Sequence, residues 1–176
     1  MRLILAAILS FAPQFALAAG SDDSEPPTPT ETTTECEKGT VWDEKTKTCI
    51  KADDQSLNDD QRFGAVRELA YAARYDEAMA VLAAMTEGET SRVMTYQGFL
   101  LRQTGRIEEG IAAYERAIAM DPGNILARSY YGQLLVQMDE LAMTEDQLTL
   151  IRASCGTGTW AETALSTAIK TGVTYT

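Results

Sequence analysis

The stretch Ser91–Asn124 has the sequence SRVMTYQGFLLRQTGRIEEGIAAYERAIAMDPGN, which predicts two amphipathic helices joined by a tight turn. Two helices pack closely only where small residues stand at their crossing, and Gly98 and Gly110 meet that requirement. Gly105 can adopt the left-handed conformation that ends a helix within a short turn. Pro122 lacks a backbone donor and therefore ends the second helix. The stretch is thus predicted to form one helical hairpin.

This hairpin resembles the tetratricopeptide repeat, a helix–turn–helix unit of about 34 residues that stacks on copies of itself. The resemblance rests on small residues, an aromatic residue and a closing proline at the family's positions, which are Gly98, Gly105, Gly110, Tyr114, Ala117 and Pro122. Met94 stands where the family has a tryptophan and Leu101 where it commonly has a tyrosine. An ordinary helical hairpin within another all-α fold is the alternative. The resemblance implies a binding scaffold and leaves the bound partner unidentified.

The same pattern recurs on both sides of the hairpin. Residues 58–86 form a degenerate first unit, because RYDEA at Arg74–Ala78 parallels RIEEG at Arg106–Gly110. Residues 125–155 form a third unit, in which Gly132 stands 34 residues after the first crossing glycine. Three units in register favour a repeat architecture over an isolated hairpin.

A short helix is predicted from Trp160 to about Lys170, and its apolar residues would cover the last unit, as the end caps of solenoids do. We therefore predict an all-α domain over residues 58–172. Its expected architecture is a right-handed α-solenoid of about three tetratricopeptide helix–turn–helix repeats with a C-terminal capping helix.

The composition limits the classes of function. Of the 176 residues 45% are hydrophobic and 23% are charged, which suits one modest domain. The formal net charge of −11 would repel phosphate backbones and anionic lipid surfaces, so we expect no nucleic-acid partner. The absence of histidine removes histidine-based catalysis and histidine metal sites. We predict that the protein is not an enzyme and uses no metal or cofactor.

Residues 1–18 are typical of a secretory signal peptide, with one arginine, an apolar run and a small-x-small cleavage site at Ala16–Ala18. The alternative is a membrane anchor, but the apolar run has only about half of the ~20 residues that a span needs. We expect a periplasmic or secreted protein without a membrane span after cleavage. Residues 19–35 are acidic and rich in threonine and proline, and they are predicted to form a disordered linker.

Cys36 and Cys49 are predicted to form a disulfide, because two cysteines at this separation in an exported chain favour pairing. The bridge would close a β-hairpin over residues 36–50, followed by a polar connector at 51–57. The pattern Cys-x-x-Gly-x-x-Trp-Asp resembles part of the chitin-binding hairpin of peritrophin-type domains. This resemblance implies that Trp42 stacks on a sugar ring of chitin or peptidoglycan, whereas the alternative is that Trp42 covers the bridge.

The third cysteine, Cys155, has no predicted partner. We expect an unpaired and largely buried thiol, and a covalent dimer through this residue is the alternative. No base stands beside Cys155 in the sequence, so a catalytic thiol is not expected.

In the tetratricopeptide family the first helices of successive units line a concave groove. By this resemblance the groove residues are Phe63, Arg67, Arg92, Thr95, Phe99, Arg102, Ser129, Gln133 and Gln137. Arginines gathered on one face of an acidic protein suit an acidic peptide, and the alternative is that they pair with neighbouring glutamates. We predict a protein-interaction scaffold that binds an unidentified protein or peptide in this groove. Carbohydrate binding through the disulfide hairpin is the alternative function.

Overall fold

The computed structural model of the chain describes residues 27–175, so the predicted signal peptide and the first part of the predicted linker lie outside the described residues. The described part is mostly helical and includes a small antiparallel two-stranded sheet. Its elements are α1 (Glu31–Thr34), β1 (Thr40–Asp43), β2 (Thr48–Lys51), α2 (Asp59–Tyr71), α3 (Tyr75–Ala83), α4 (Ser91–Gln103), α5 (Ile107–Met120), α6 (Ile125–Gln137), α7 (Leu141–Ala153) and α8 (Trp160–Thr171).

Three helical hairpins, α2–α3, α4–α5 and α6–α7, are closed by the same turn geometry. In each turn a residue with positive φ follows the first helix, and the next residue donates its backbone N–H to a leucine carbonyl five positions earlier. The left-handed residues are Ala73, Gly105 and Asp139, with φ of 58°, 81° and 62°. The hydrogen bonds join Arg74 to Leu69 at 2.9 Å, Arg106 to Leu101 at 2.8 Å and Glu140 to Leu135 at 2.9 Å. One left-handed residue reverses the chain in each case, so the second helix packs back against the first.

The first helix of each hairpin begins at an equivalent capping residue. Asn58, Thr90 and Asn124 each accept a hydrogen bond from the backbone N–H three positions later, which satisfies one of the free donors at the helix start. At Asn58 the side chain of Gln61 also accepts from the cap backbone, so the capping box is complete.

The central hairpin crosses closely at its glycines. A Cβ atom added at Gly98 would lie 2.7 Å from ring carbons of Tyr114, and one added at Gly110 would lie 3.2 Å from the Gly98 carbonyl oxygen. Tyr114 is fully buried and fills this space. In the third hairpin Gly132 makes the equivalent approach to α8, where an added Cβ would lie 2.7 Å from Leu165. The crossing glycines therefore set the distances between α4, α5, α6 and α8.

The hairpins also contact one another and the last helix. Helix α3 packs against α4 and α5 against α6, while the first helices α2, α4 and α6 touch in that order. Helix α8 packs against both α6 and α7, with Ala161, Leu165 and Ala168 buried, so it covers the third hairpin as predicted. Most buried apolar side chains from β1 to α6 form one continuous core.

The Cys36–Cys49 disulfide is confirmed, and it joins the segment before β1 to Cys49 within β2. An intramolecular disulfide indicates an oxidising compartment. The β1–β2 hairpin packs against the helices and is not a separate unit, because Val41 is buried in the main core and Gln61 of α2 donates a hydrogen bond to the Asp43 carboxylate at 3.3 Å.

The predicted disordered linker is wrong for its last residues. Helix α1 lies against α2, where the Glu68 carboxylate accepts hydrogen bonds from the backbone and hydroxyl groups of Thr30 and Thr33. Their donor–acceptor distances run from 2.5 to 3.1 Å. A single buried carboxylate thus orders a segment that has no large apolar side chain of its own, and composition alone does not reveal such an anchor.

The connector at 51–57 is also packed rather than merely polar. Ala52 and Leu57 are buried in the main core. The Arg62 guanidinium of α2 donates to the carbonyl oxygens of Ala52 and Asp54, at 2.8 Å each, and pairs with Asp59 at 2.9 Å. This buried arginine fixes the path from the disulfide hairpin into α2.

The prediction of a buried Cys155 is wrong, because the free thiol is exposed. Cys155 follows the end of α7 with φ of 60°, and the next residue, Gly156, donates to the Ile151 carbonyl at 2.9 Å. Cys155 therefore occupies the left-handed position of the same turn that closes the three hairpins, and it is Ile151 that fills the core there. The covalent dimer through Cys155 stays a prediction.

Replacement of Gly98 by alanine tests the close crossing. We expect Gly98→Ala to lower the free energy of unfolding by about 1–3 kcal/mol, because the fully buried Tyr114 ring cannot move away from the new methyl group. Urea unfolding followed by circular dichroism measures this change.

Gly64→Ala is the matched control, since Gly64 lies within α2 and nothing stands within 4 Å of an added Cβ. It should stabilise the protein by about 0.5–1 kcal/mol through the higher helix propensity of alanine. Equal effects of the two substitutions would contradict the role of Gly98 in the crossing.

Candidate functional site

The predicted groove residues lie on α2, α4 and α6, the three helices that touch in sequence order, but most of them are covered. The buried members are Phe63, Thr95, Phe99, Arg102, Ser129 and Gln133. Arg67 and Arg92 are partly exposed, and Gln137 is exposed. The open wall of side chains that the resemblance implies is therefore largely closed in this structure.

Aromatic rings form the centre of this surface. Phe99 of α4 and Tyr130 of α6 lie with their centroids 4.9 Å apart, and Tyr96 packs edge-on against Phe63 of α2 at 5.1 Å. Tyr96 also meets Tyr130 edge-on at 6.3 Å, so the rings connect all three first helices. We call Phe63, Tyr96, Phe99 and Tyr130 the inner aromatic surface.

Residues 173–175, which follow α8, lie across the inner aromatic surface. Tyr175 is partly exposed, and its ring stacks on Tyr130 at 6.3 Å, lies 6.1 Å from Phe99 and meets Trp160 of α8 edge-on at 5.3 Å. On the open side Tyr71 of α2 lies 6.5 Å from the same ring. Rings from four different helices therefore surround Tyr175.

Polar side chains of α4 and α6 hold the backbone of this segment. Gln133 accepts a hydrogen bond from the Tyr175 N–H at 2.6 Å. Arg102 and Gln103 donate to the Tyr175 carbonyl oxygen at 3.4 and 3.3 Å, distances that make both bonds long. Gln137 donates to the Thr174 hydroxyl at 2.8 Å. Three predicted groove residues, Arg102, Gln133 and Gln137, thus bind Thr174 and Tyr175 of the same chain.

The three groove arginines have different electrostatic surroundings. Arg92 pairs with Glu87 at 2.8 Å and Asp60 at 2.7 Å, and its guanidinium lies 4.8 Å from the centre of the Phe63 ring. Its hydrogen bond to Glu87 is the main cause that raises the pKa of Arg92. For Arg92 the alternative of pairing with neighbouring carboxylates is therefore correct.

Arg102 differs from Arg92 because its hydrogen-bond acceptors, Gln137 and the Tyr175 carbonyl, are neutral. Its Nε donates to Gln137 at 3.0 Å, and among residues 27–175 it forms no ion pair. Burial lowers the pKa of Arg102 and raises the pKa of Tyr114, and the charge of Arg102 partly offsets the rise at Tyr114. Arg102 Nη1 and the Tyr114 hydroxyl are buried without a hydrogen bond among the described residues. The site thus holds a buried cation whose surroundings favour an additional acceptor.

Arg67 lies between the inner aromatic surface and the disulfide hairpin. Its Nε donates to the Tyr96 hydroxyl at 3.3 Å. Arg67 also lines a cleft of about 270 Å³ that includes Trp42, Gln61 and Gly64.

Trp42 stands at the edge of this cleft. It is partly exposed, lies opposite Cys49 in the hairpin register and donates its indole N–H to Glu44 at 3.1 Å. Trp42 therefore lies beside the disulfide and borders open space at once, which leaves both interpretations of this residue in place.

Sequence reasoning missed the residues that contribute most rings to the site. Tyr96 and Tyr130 stand 34 residues apart, which equals the spacing of Gly98 and Gly132, so this period was a usable signal. Tyr175 lies outside the repeated pattern, and nothing in the local sequence links it to Phe99 or Gln133. Tyr175 reaches the site because it follows α8 in the chain.

Two general features of the described residues bear on function. Between residues 27 and 175, no group of three or more cysteine, aspartate or glutamate side chains is arranged to hold a metal ion. In the same part of the chain no helix has the length and apolar character to cross a membrane.

Comparison with known proteins finds no relative of this chain. No family model, curated protein or solved structure matches the chain.

The ionisation of Tyr175 offers a test of its placement. Burial, followed by the nearby Tyr71, raises the pKa of Tyr175 from 10.0 to about 12. Because the pKa is raised in the folded state, the contact of Tyr175 is at full strength below pH 10 and is lost as the pH rises through about 12. Titration of the absorbance at 295 nm in wild type and Tyr175→Phe gives the difference curve of this residue, which we expect to be centred near 12. A midpoint near 10 would contradict the contact.

Proposed function

We propose that this chain is a non-enzymatic protein-interaction scaffold that binds an extended protein segment along the inner faces of α2, α4 and α6. The proposal includes a tetratricopeptide-like solenoid of three repeats and an exported, periplasmic or secreted location in a bacterium. The observation that carries it is the binding of residues 173–175 through backbone groups on that surface.

The repeated end geometry of the helices supports the solenoid. The caps Asn58, Thr90 and Asn124 stand at intervals of 32 and 34 residues. The turn hydrogen bonds that end at Leu69, Leu101 and Leu135 follow the same intervals. Two sets of local contacts that share the same pair of intervals support stacked repeat units.

Backbone recognition supports the binding role. Gln133 and Arg102 contact the N–H and the carbonyl of one residue, Tyr175, and these groups are present in any peptide. A surface that holds an extended chain in this way is suited to a segment from another protein as well.

An acidic segment suits the surroundings of Arg102. Its guanidinium donates to the amide oxygen of Gln137 and the carbonyl oxygen of Tyr175, whereas Arg92 already pairs with Glu87 and Asp60. A carboxylate near Arg102 would form a charge-assisted hydrogen bond, which is roughly twice as strong as a neutral one. The partner is therefore proposed to be a protein or peptide with acidic character.

Chemical crosslinking in the native cell envelope tests the scaffold with Arg67→Glu on the inner surface. We expect this variant to lose the partners that crosslink to the wild type, because it reverses the charge beside the inner aromatic surface. Mass spectrometry of the purified adducts identifies the partners and compares their yield.

Arg116→Glu is the matched control, since it makes the same charge change at an exposed position of α5 where Arg116 pairs with Glu89. Its partners should match those of the wild type. An identical set of partners with Arg67→Glu would show that the inner surface does not bind them.

Glycan binding through the disulfide hairpin is the second candidate function. The observation that favours it is the partly exposed Trp42 at the cleft with Gln61 and Arg67, because an aromatic ring beside polar groups is suited to a sugar.

Sedimentation with insoluble peptidoglycan or chitin tests this candidate. We expect retention of the wild type to be lost in Trp42→Ala, which removes the stacking ring, and kept in Met143→Ala, a control at an exposed apolar residue of α7. Failure of the wild-type protein to sediment with either glycan would exclude glycan binding as the function of the hairpin.

A further inference from the structure

Tyr175 is held in a site that is built for an aromatic ring. Tyr130 stacks on its face at an angle of 11° between the ring planes, and Trp160 meets it at 83°. Phe99 and Tyr71 complete the surroundings. Stacked and edge-to-face pairs are the arrangements that aromatic rings prefer, so the site selects for ring shape as well as apolar area.

Without the Tyr175 ring, apolar side chains of the site would be exposed to water. Phe99 is 2% exposed and Tyr130 is 5% exposed while residues 173–175 lie over them. Departure of the segment would bring apolar ring surface into contact with water, which is unfavourable. A second occupant with an aromatic side chain would restore the cover.

The buried side chains of α8 lie before the segment that covers the inner aromatic surface. Gly172 caps the C-terminus of α8 with a φ of 71°, and its N–H donates to the Ala168 carbonyl at 2.8 Å. Val173 next to it is 70% exposed, and the contacts of the segment with the domain come from Thr174 and Tyr175. The core contacts of α8 come from Ala161, Leu165 and Ala168, all of which precede Gly172.

We infer that the inner surface recognises an extended partner segment with an aromatic side chain in the place of Tyr175, and that residues 173–175 compete with that segment. This inference rests on the proposed scaffold function and specifies its ligand. The partner's backbone would bond to Gln133 and Arg102, while its ring would lie against Phe99, Tyr130 and Trp160.

Binding of a synthetic peptide to the full chain tests the inference. The probe is a fluorescently labelled peptide with the sequence KTGVTYT, that of residues 170–176. We expect it to bind Tyr175→Ser about tenfold or more tightly than the wild type, because the wild-type site is occupied by its own segment. Met143→Ser is the control, since Met143 is exposed on α7 and its change should leave the wild-type affinity. Fluorescence anisotropy measures the affinity, and circular dichroism shows that each variant is folded.

Peptide variants test the ring requirement. Replacement of the peptide tyrosine by phenylalanine should keep the affinity for Tyr175→Ser within about threefold, and replacement by serine should lower it about tenfold or more. Equal affinity of the tyrosine and serine peptides would overturn the aromatic requirement. Absence of peptide binding to a folded Tyr175→Ser protein, or equal affinity for this variant and the wild type, would overturn the competition.

Three further outcomes test this inference and the scaffold function separately. A wild-type dimer in light scattering that Tyr175→Ser abolishes would show that the occupant is a second copy of the chain, and would overturn a partner segment. Partners that depend on Arg67 in crosslinking but bind wild type and Tyr175→Ser equally would overturn the inference alone. Absence of any partner that depends on Arg67, with peptide binding as expected, would count against the scaffold function instead.

Discussion

The left-handed turn that closes each helical hairpin is the constraint on which the rest of the structure depends. A helix leaves its last carbonyls without intrahelical partners, and a hydrogen bond from the residue after the turn satisfies one of them. The acceptors Leu69, Leu101 and Leu135 are buried leucines, so each turn is anchored to the core. With the turns fixed, α2, α4 and α6 touch in sequence order, and their inward side chains form one surface. The placement of the candidate site thus follows from backbone geometry at three positions.

The hairpins, the capping helix and the disulfide could be predicted from the sequence because their signals are local. Gly98 and Gly110 stand on the helices that cross, and Cys36 and Cys49 are close in sequence. The ordered conformation of residues 30–35 could not be predicted, since it depends on Glu68, which lies more than thirty positions away. The same holds for Cys155, whose exposure follows from a left-handed turn that no glycine marks.

The candidate site shows the same division between local and long-range information. The resemblance to the tetratricopeptide repeat implied that Arg102, Gln133 and Gln137 share one surface, and all three contact residues 174 and 175. That these residues are mostly buried could not be inferred, because the cover comes from a segment outside the repeated pattern. An amphipathic pattern identifies which face a helix buries, but it does not identify what lies on that face. Occupancy of a groove is therefore a property of the whole fold.

The chemistry of the inner surface explains why it is covered. An acidic domain of this size can keep charged side chains in water, as at the exposed Arg106–Glu109 and Arg116–Glu89 pairs. It cannot expose Phe99, Tyr130 and Trp160 together without a sizeable apolar patch, and such patches in soluble proteins mark binding sites or lead to association. Residues 173–175 cover the patch through one ring and several backbone hydrogen bonds, while the α8 core contacts lie before Gly172. The buried α8 side chains Ala161, Leu165 and Ala168 are distinct from the Tyr175 ring that covers the surface, so a change of occupant would leave these contacts of α8 in place.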